Sequence, residues 1–403
     1  MNPLATLFMV CGILLSLVST AQSQLEEELN KMALHFTLKP GHQLDDEVAH
    51  FFIEEAQKAQ FIGLAELHRS EQLSFFTIAL LDLLDKVGYD HLAMEIGPYA
   101  AKYLRQLSHN PKNIQENIAR INKIYGNRLF GSMVPIIFVD REEDALFLKK
   151  AAEEGYQLWG LDQEFAYSFE MHLDSIYAYH NHPDEALEDE YRDLKKMIHK
   201  KSKKSAFRRK YSHYCKLYEH ERLKQFFENI SDIPHAKKHI NHFYASLDIY
   251  CKNVRGENSN QQRADYMKSN FSDYYQNARE DTPKVLVKLG SVHLTRGESP
   301  FGVDDMGQYL RKKAEANNTG FLTIRHLRRY KNGRDYVGKK GWKEVSNFMK
   351  AGEKKRWTLI DLRPIRAKLK AGELQVTKRE KYEIYSYDLL LIPPNDHKAR
   401  KNF

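Results

Sequence analysis

The chain lacks the short signatures that would name a chemistry at sight. It has no Gly-rich phosphate loop, the usual cradle for a nucleotide, and no G-x-S-x-G, the nucleophile elbow of α/β-hydrolases. H-E-x-x-H is missing, and with it the zincin helix; paired C-x-x-C is missing, and with it the common zinc and dithiol motifs. No internal repeat or low-complexity tract breaks the 403 residues. After residue 23 no apolar run is long enough to span a membrane. Cysteine is scarce, with only Cys11, Cys215 and Cys251.

What remains is the composition of a folded globular protein: 42% hydrophobic, 29% charged and 12% aromatic residues, the aromatics arguing against disorder. The length admits one large domain or two ordinary ones. Residues 4–18 are apolar and are followed by Ser19-Thr20-Ala21-Gln22-Ser23, so 1–23 reads as a signal peptide cleaved after Ala21 or Ser23. Its first residues, Met1-Asn2-Pro3, carry no Lys or Arg. Export to a periplasmic or extracellular space is expected. Phe8-Met9-Val10 before Cys11 is a poor lipoprotein box and argues against a lipid anchor. In an oxidising compartment Cys215 and Cys251 can pair; two separate buried thiols is the other reading.

The net charge of +8 is concentrated in residues 195–210, with Lys398, Arg400 and Lys401 in the tail. The dense run suits peripheral contact with an anionic surface or a solvated helix face. No nucleic-acid recognition motif accompanies it, and no nucleic-acid partner is expected.

Ile-, Leu- and Val-rich runs at 61–65, 91–95, 134–139, 156–161, 284–290, 320–325, 357–362 and 388–392 predict strands covered on both faces. Helical periodicity fills 45–60, 72–86, 99–108, 141–154 and 304–316. The alternation predicts an α/β fold with a mostly parallel central sheet flanked by helices. Between 184 and 271 the rhythm stops, and a charged, Tyr- and His-rich helical insertion separates 24–183 from 272–403. The two apolar runs after Gly333 are expected to add edge strands.

The candidate chemistry lies at strand ends. Glu66 and His68 are two apart after the first run, so both point the same way. Glu95 and Asp162 end later runs, and His293 follows Gly290 by three residues. In an open α/β sheet these positions share the crevice beyond the strands' carboxyl ends. Carboxylates and imidazoles gathered there can hold Mn, Zn, Co or Fe, or form a metal-free general base activating water. Arg263 adds a cation for developing negative charge, and Asp265 a carboxylate to orient a neighbour. Each also has a plainer reading: a hydrogen-bonded turn for Glu66 and His68, helix caps for Glu95 and Asp162, a surface pair for Arg263 and Asp265. His235, His239 and His242, at i, i+4 and i+7, read as a solvated helix face.

These motifs resemble the superfamily of erythromycin esterase-like proteins, ChaN-type haem-binding proteins and TIKI/TraB metalloproteases. Ala65-Glu66-Leu67-His68 is similar to the ChaN-type Gly-Glu-x-His, with Ala for Gly, and to the esterases' Gly-Glu-x-x-His-Gly, one residue shorter. Ala93-Met94-Glu95 and Gly160-Leu161-Asp162 resemble the acids ending later strands of that superfamily. Arg263 to Met267 with Asn270 resembles the esterases' Arg-Asp-x-x-Met-x-x-Asn helix, with one extra residue. Gly290-Ser291-Val292-His293 is similar to the late Gly-x-x-His of the TIKI/TraB group; the esterases have two histidines there.

The resemblance implies a hydrolase of an ester or amide bond in a small molecule or peptide. His68 would be base or ligand, Glu66 its orienting acid, His293 the second base or ligand, and Arg263 the oxyanion partner. In the metal version Glu66, His68, Glu95, Asp162 and His293 are the ligands. The ChaN-type motif implies an alternative, a haem- or metal-binding uptake protein, with Tyr and His of the insertion as axial ligands.

Overall fold

The computed structural model describes residues 24–127, 133–180, 184–208 and 212–402. The expected signal segment lies outside them, as do Arg209 and Lys210 of the basic run. Among the described residues no helix is long and apolar enough to cross a membrane.

Among the described residues there are ten strands: β1 (Ala33–Phe36), β2 (Ala59–Glu66), β3 (Tyr89–Met94), β4 (Gln157–Gly160), β5 (Lys284–Gly290), β6 (Gly320–His326), β7 (Tyr330–Lys331), β8 (Arg334–Asp335), β9 (Trp357–Asp361) and β10 (Leu389–Ile392). Eight form one sheet in the order β1-β9-β10-β6-β2-β5-β3-β4, and β7 pairs with β8 separately. The neighbours from β10 to β4 all run parallel; β9 is antiparallel to both β10 and β1. The fold is the expected mixed α/β type.

Chain order and sheet order differ at one decisive place. β2 is followed by β3 and β4, yet β5 later enters between β2 and β3, and β6 then takes the other side of β2. That reversal opens the crevice where an α/β sheet binds ligands.

Strand parity divides the core. Ile62, Leu64 and Leu286 face the layer of helices Asp46–Lys58, Glu71–Asp85 and Glu142–Glu153. Phe61, Ala65, Val285, Val287 and Leu289 face helices Ser259–Gln276 and Met306–Ala316. The helices start where the chain offers an acceptor to the free N–H groups of a first turn. Asp45 accepts from Val48 N–H at 3.1 Å and Ser70 from Leu73 N–H at 3.1 Å.

The insertion region folds as helices Glu185–Arg208, Ser212–Tyr218, Glu221–Glu228, Pro234–Arg255 and Ser259–Gln276, with an aromatic-rich core of its own. A Cys215–Cys251 disulfide joins two of them, which decides the question the sequence left open. In the described part of the basic run, Lys195 reaches Asp174 at 2.6 Å.

Two expectations fail. Residues 134–139 form turns, not a strand: Phe138 takes φ 66°, a left-handed conformation that breaks β pairing. Nor do β9 and β10 lie at the sheet edge, because β1, too short to stand out in the sequence, covers β9.

Candidate active site

Glu66 continues the parity of Ile62 and Leu64, so its side chain enters the helix-covered layer rather than solvent. The register sets Leu64 opposite Lys288 and Glu66 opposite Gly290, and partnered residues share a face. Lys288 is therefore brought alongside Glu66, and its ammonium donates to Glu66 Oε2; both side chains are buried. Glu66 Oε1 lies 3.2 Å from His68 Nδ1. Burial would raise the Glu66 carboxyl, but the Lys288 ammonium and the His68 ring together hold it at about 2.

His68 is the accessible member, with 37% of its side chain exposed and its ring stacked on Phe138 at 4.1 Å. The turn carrying it is pinned by buried His326, whose Nδ1 accepts from Leu67 N–H at 3.4 Å. Burial pushes His326 well below its ordinary value, which suits a neutral acceptor.

Glu95 stands between two imidazoles. His68 Nε2 lies 4.0 Å from its Oε2, and His293 Nε2 lies 3.6 Å from its Oε1. Gly290 N–H donates to Oε2 at 2.6 Å and Arg263 Nη2 to Oε1 at 2.8 Å. Against burial, the charges of His293, Arg263 and His68 lower this carboxyl. Gly290 makes the approach possible: a Cβ there would stand 3.0 Å from Glu95 Oε2 and 3.2 Å from His68 Nε2.

His293 is buried on the short turn after β5. Its Nδ1 lies 2.8 Å from Asp305 Oδ2, while Asp305 Oδ1 accepts Met306 N–H at 2.8 Å and caps the next helix. The arrangement is near-symmetric. Each imidazole turns Nδ1 to its own acid and Nε2 to the shared Glu95. Burial opposes charging of both rings, but the Glu66 bond on His68 and the Asp305 bond on His293 raise them overall.

Arg263 arrives from helix Ser259–Gln276, which is tied to β4 by Asn270 Nδ2 donating to Leu161 O at 2.8 Å. It grips Asp162 through Nε at 2.8 Å and Nη2 at 2.6 Å. Its guanidinium is thus spent on two carboxylates, an organising clamp rather than a free oxyanion donor. Asp265 stays out of the cluster, exposed and paired with Lys268 at 2.8 Å and Gln261 at 3.0 Å. Glu95, Asp162 and Arg263 line a cleft of about 190 Å³ whose other wall is Pro135, Ile136, Ile137, Phe138 and Phe165. His68 meets this wall through its stack on Phe138.

Glu66, His68 and Glu95 can each present a ligand atom within 4.8 Å of the others. The donor set nevertheless fits a metal ion poorly. Lys288 already bonds Glu66, while Arg263 and Gly290 N–H hold both oxygens of Glu95. An incoming cation would meet two fixed positive charges.

The sequence reading missed Lys288, Asp305 and His326. Lys288 interrupts an otherwise apolar strand and Asp305 directly precedes a helix start, so both had a signal. His239 is a correction: it is buried, not solvated. Its Nε2 lies 3.0 Å from His172 Nδ1, and His172 Nε2 lies 3.1 Å from Glu164 Oε2. Glu164 also accepts from Tyr99 N–H at 2.7 Å and Ala100 N–H at 3.3 Å, capping helix Pro98–Leu107. Tyr99 stacks on His239 at 3.6 Å. Insertion tyrosines considered as axial ligands, such as Tyr191 and Tyr214, pack against other aromatic rings, while Tyr250 also borders the cleft.

No family model and no curated protein sequence matches the chain. Solved structures do. The erythromycin esterase EreC in its open conformation superposes with a TM-score of 0.53 over 91% of this chain and 98% of its own, at 13% identity. A succinoglycan biosynthesis protein gives 0.55 over 94% and 99%, at 15% identity. A Bacillus cereus protein gives 0.58 over 94% and 99%, at 12% identity. Identities this low carry architecture and leave activity to the site itself. At the level of architecture, then, the chain has the erythromycin esterase-like fold that its strand-end motifs resemble.

Proposed function

We propose that the protein is a hydrolase that directs water onto an ester or amide bond of a small molecule or peptide without a metal. The observation that carries this reading is the row Glu66–His68···Glu95···His293–Asp305 beside an open cleft. With Nδ1–H donated to Glu66, the neutral His68 ring leaves Nε2 to accept a proton. As the water oxygen bonds the carbonyl carbon, its proton passes to His68 Nε2 and the carbonyl oxygen becomes an oxyanion. Collapse breaks the C–O or C–N bond, and the leaving group takes a proton from an imidazolium.

His293, fixed by Asp305 and buried, is the second proton carrier. Lys288 and Arg263 keep Glu66 and Glu95 ionised, so both imidazoles stay braced by anions. In this reading His68 acts as the base and His293 as the acid reserve.

The disulfide and the apolar N-terminal segment support action outside the cytoplasm. The test is hydrolysis of aryl ester and anilide probes by the mature protein, with elemental analysis of the same preparation. The proposal expects turnover without a stoichiometric divalent ion, lost when His68 becomes Ala. Unchanged turnover of a confirmed substrate in Glu66→Ala/His68→Ala would sink it, and a tightly held stoichiometric metal would replace the metal-free form.

A further inference from the structure

The opposite end of the sheet carries another gathering of acids and imidazole. Asp90 and His91 lie at the amino end of β3, the strand whose carboxyl end leads to Glu95. Consecutive side chains of a regular strand point to opposite faces. The β3–β5 register shifts between Tyr89 and His91, and at this bulge Asp90 Oδ1 comes to 3.2 Å from His91 Nε2. From the loop between helix Ser259–Gln276 and β5, Glu280 brings Oε2 to 3.0 Å from the same nitrogen. One ligand atom from each of the three residues lies within 4.8 Å of the others.

The imidazole is what separates this cluster from a patch of surface acids. Its side chain is only 5% exposed and its ring lies against Trp159 at 4.6 Å. Nδ1 is buried without a hydrogen-bond partner, so the ring's polar contacts are all made by Nε2, aimed between the two half-exposed carboxylates. Among the described residues His91 is the only ion-pair partner of either acid; Arg279 acts on Glu280 by charge without pairing. No fixed cation therefore occupies the oxygens, unlike Lys288 and Arg263 at the rim. With ligands about 2.0–2.2 Å from a metal ion, neighbouring donor atoms stand about 3.0–3.5 Å apart, which matches both acids' distances from Nε2. Two carboxylates and a neutral imidazole also carry the charge that a divalent ion cancels.

We propose that Asp90, His91 and Glu280 bind a divalent transition-metal ion, Zn²⁺ best suiting the mixed imidazole and carboxylate donors, with water completing its shell. The ion would fasten the loop entering β5 to the start of β3. It lies about 13 Å along β3 from Glu95, at about 3.3 Å per residue, so it is separate from the rim and independent of the hydrolase reading. Two half-exposed ligands make it exchangeable: dialysis against a chelator empties the site, and turnover at the rim is expected to be the same with and without the ion.

Calorimetric titration of Zn²⁺ into the full mature protein, emptied by chelator dialysis, tests the site, with the melting temperature followed alongside. Saturable binding of one ion and a raised melting temperature are expected. Asp90→Asn/Glu280→Gln weakens binding at least about tenfold and abolishes the rise in melting temperature. Both changes preserve side-chain size at half-exposed positions, so the variant is expected to keep the wild-type circular dichroism spectrum. Glu66→Gln/His68→Ala loses turnover but keeps Zn²⁺ binding, which separates the two ideas. Binding lost in the rim variant alone, or equally in both variants, overturns the site. So does the absence of saturable binding in the wild type, which would leave a proton as the bridge between the acids.

Discussion

Two of the histidine–carboxylate groupings among the described residues have almost equal ring-to-acid distances. His68 meets Glu66 at 3.2 Å on the sheet rim, and His172 meets Glu164 at 3.1 Å among the helices. At the rim the acids Glu66, Glu95, Asp162 and Asp305 exceed the fixed cations Lys288 and Arg263, so imidazolium is favoured and both rim rings rise above their ordinary value. In the helical layer Glu164 is occupied with the first turn of helix Pro98–Leu107, and His239 is pushed far below its ordinary value by burial and by His172. The first grouping can exchange protons with a ligand; the second is packing. A distance alone does not distinguish them, whereas charge balance and access do.

The sharpest way to break that contrast is to remove one imidazole from each. His68→Ala is expected to cost about 10²–10⁴ in kcat, the usual share of a general base. His172→Ala is expected to keep kcat within about threefold and instead lose about 1–3 kcal/mol of stability, because it strips a partner from buried polar groups. If His172→Ala silences turnover in a protein that still melts normally, the distinction is wrong.

Opening the disulfide acts on the insertion and not on the rim. Cys215→Ser/Cys251→Ser frees a 36-residue separation, and chain entropy predicts a loss of about 3–4 kcal/mol in denaturant unfolding. Gly290→Ala acts on the rim instead. Its methyl presses on Glu95 and His68, so a cost of about 1–3 kcal/mol in stability is expected, with turnover falling by more than the Cys variant loses.

The smallest effect is a shift in pH dependence. The raised rim rings contribute stability that is complete below pH 6.5 and is lost as pH rises through their folded values. Activity needing a free imidazole rises over that same interval. Glu66, held at about 2, contributes stability above pH 4.5 that is lost as the solution is acidified toward 2. Glu66→Gln removes the anion that lifts His68 and should move the rising limb of the activity profile, where His68 sheds its proton, to lower pH. A limb that stays put would mean that Glu66 does not tune His68.

Much of the rim was legible because parity and strand ends are local properties. Glu66, His68, Glu95 and His293 follow from where apolar runs stop. The partners that give them character come from elsewhere. Lys288 reaches Glu66 only through the β2–β5 register, and His326 pins Leu67 only because β6 adjoins β2. His239 shows the same limit. Its helical face was visible, but its partner lies on another helix, and burial depends on that packing. Residues 134–139 misled through composition, since aliphatic residues suit a cleft wall as well as a strand.

The late entry of β5 also bears on biosynthesis. A growing chain produces β2 and β3 long before residues 284–290, and until those emerge the two strands each lack the neighbour that will lie between them. Through the synthesis of the whole helical insertion, nascent protein therefore carries open hydrogen-bonding edges that invite association with other chains. Truncation anywhere before residue 284 should yield aggregation-prone fragments, and holdase chaperones have their natural point of engagement in that interval.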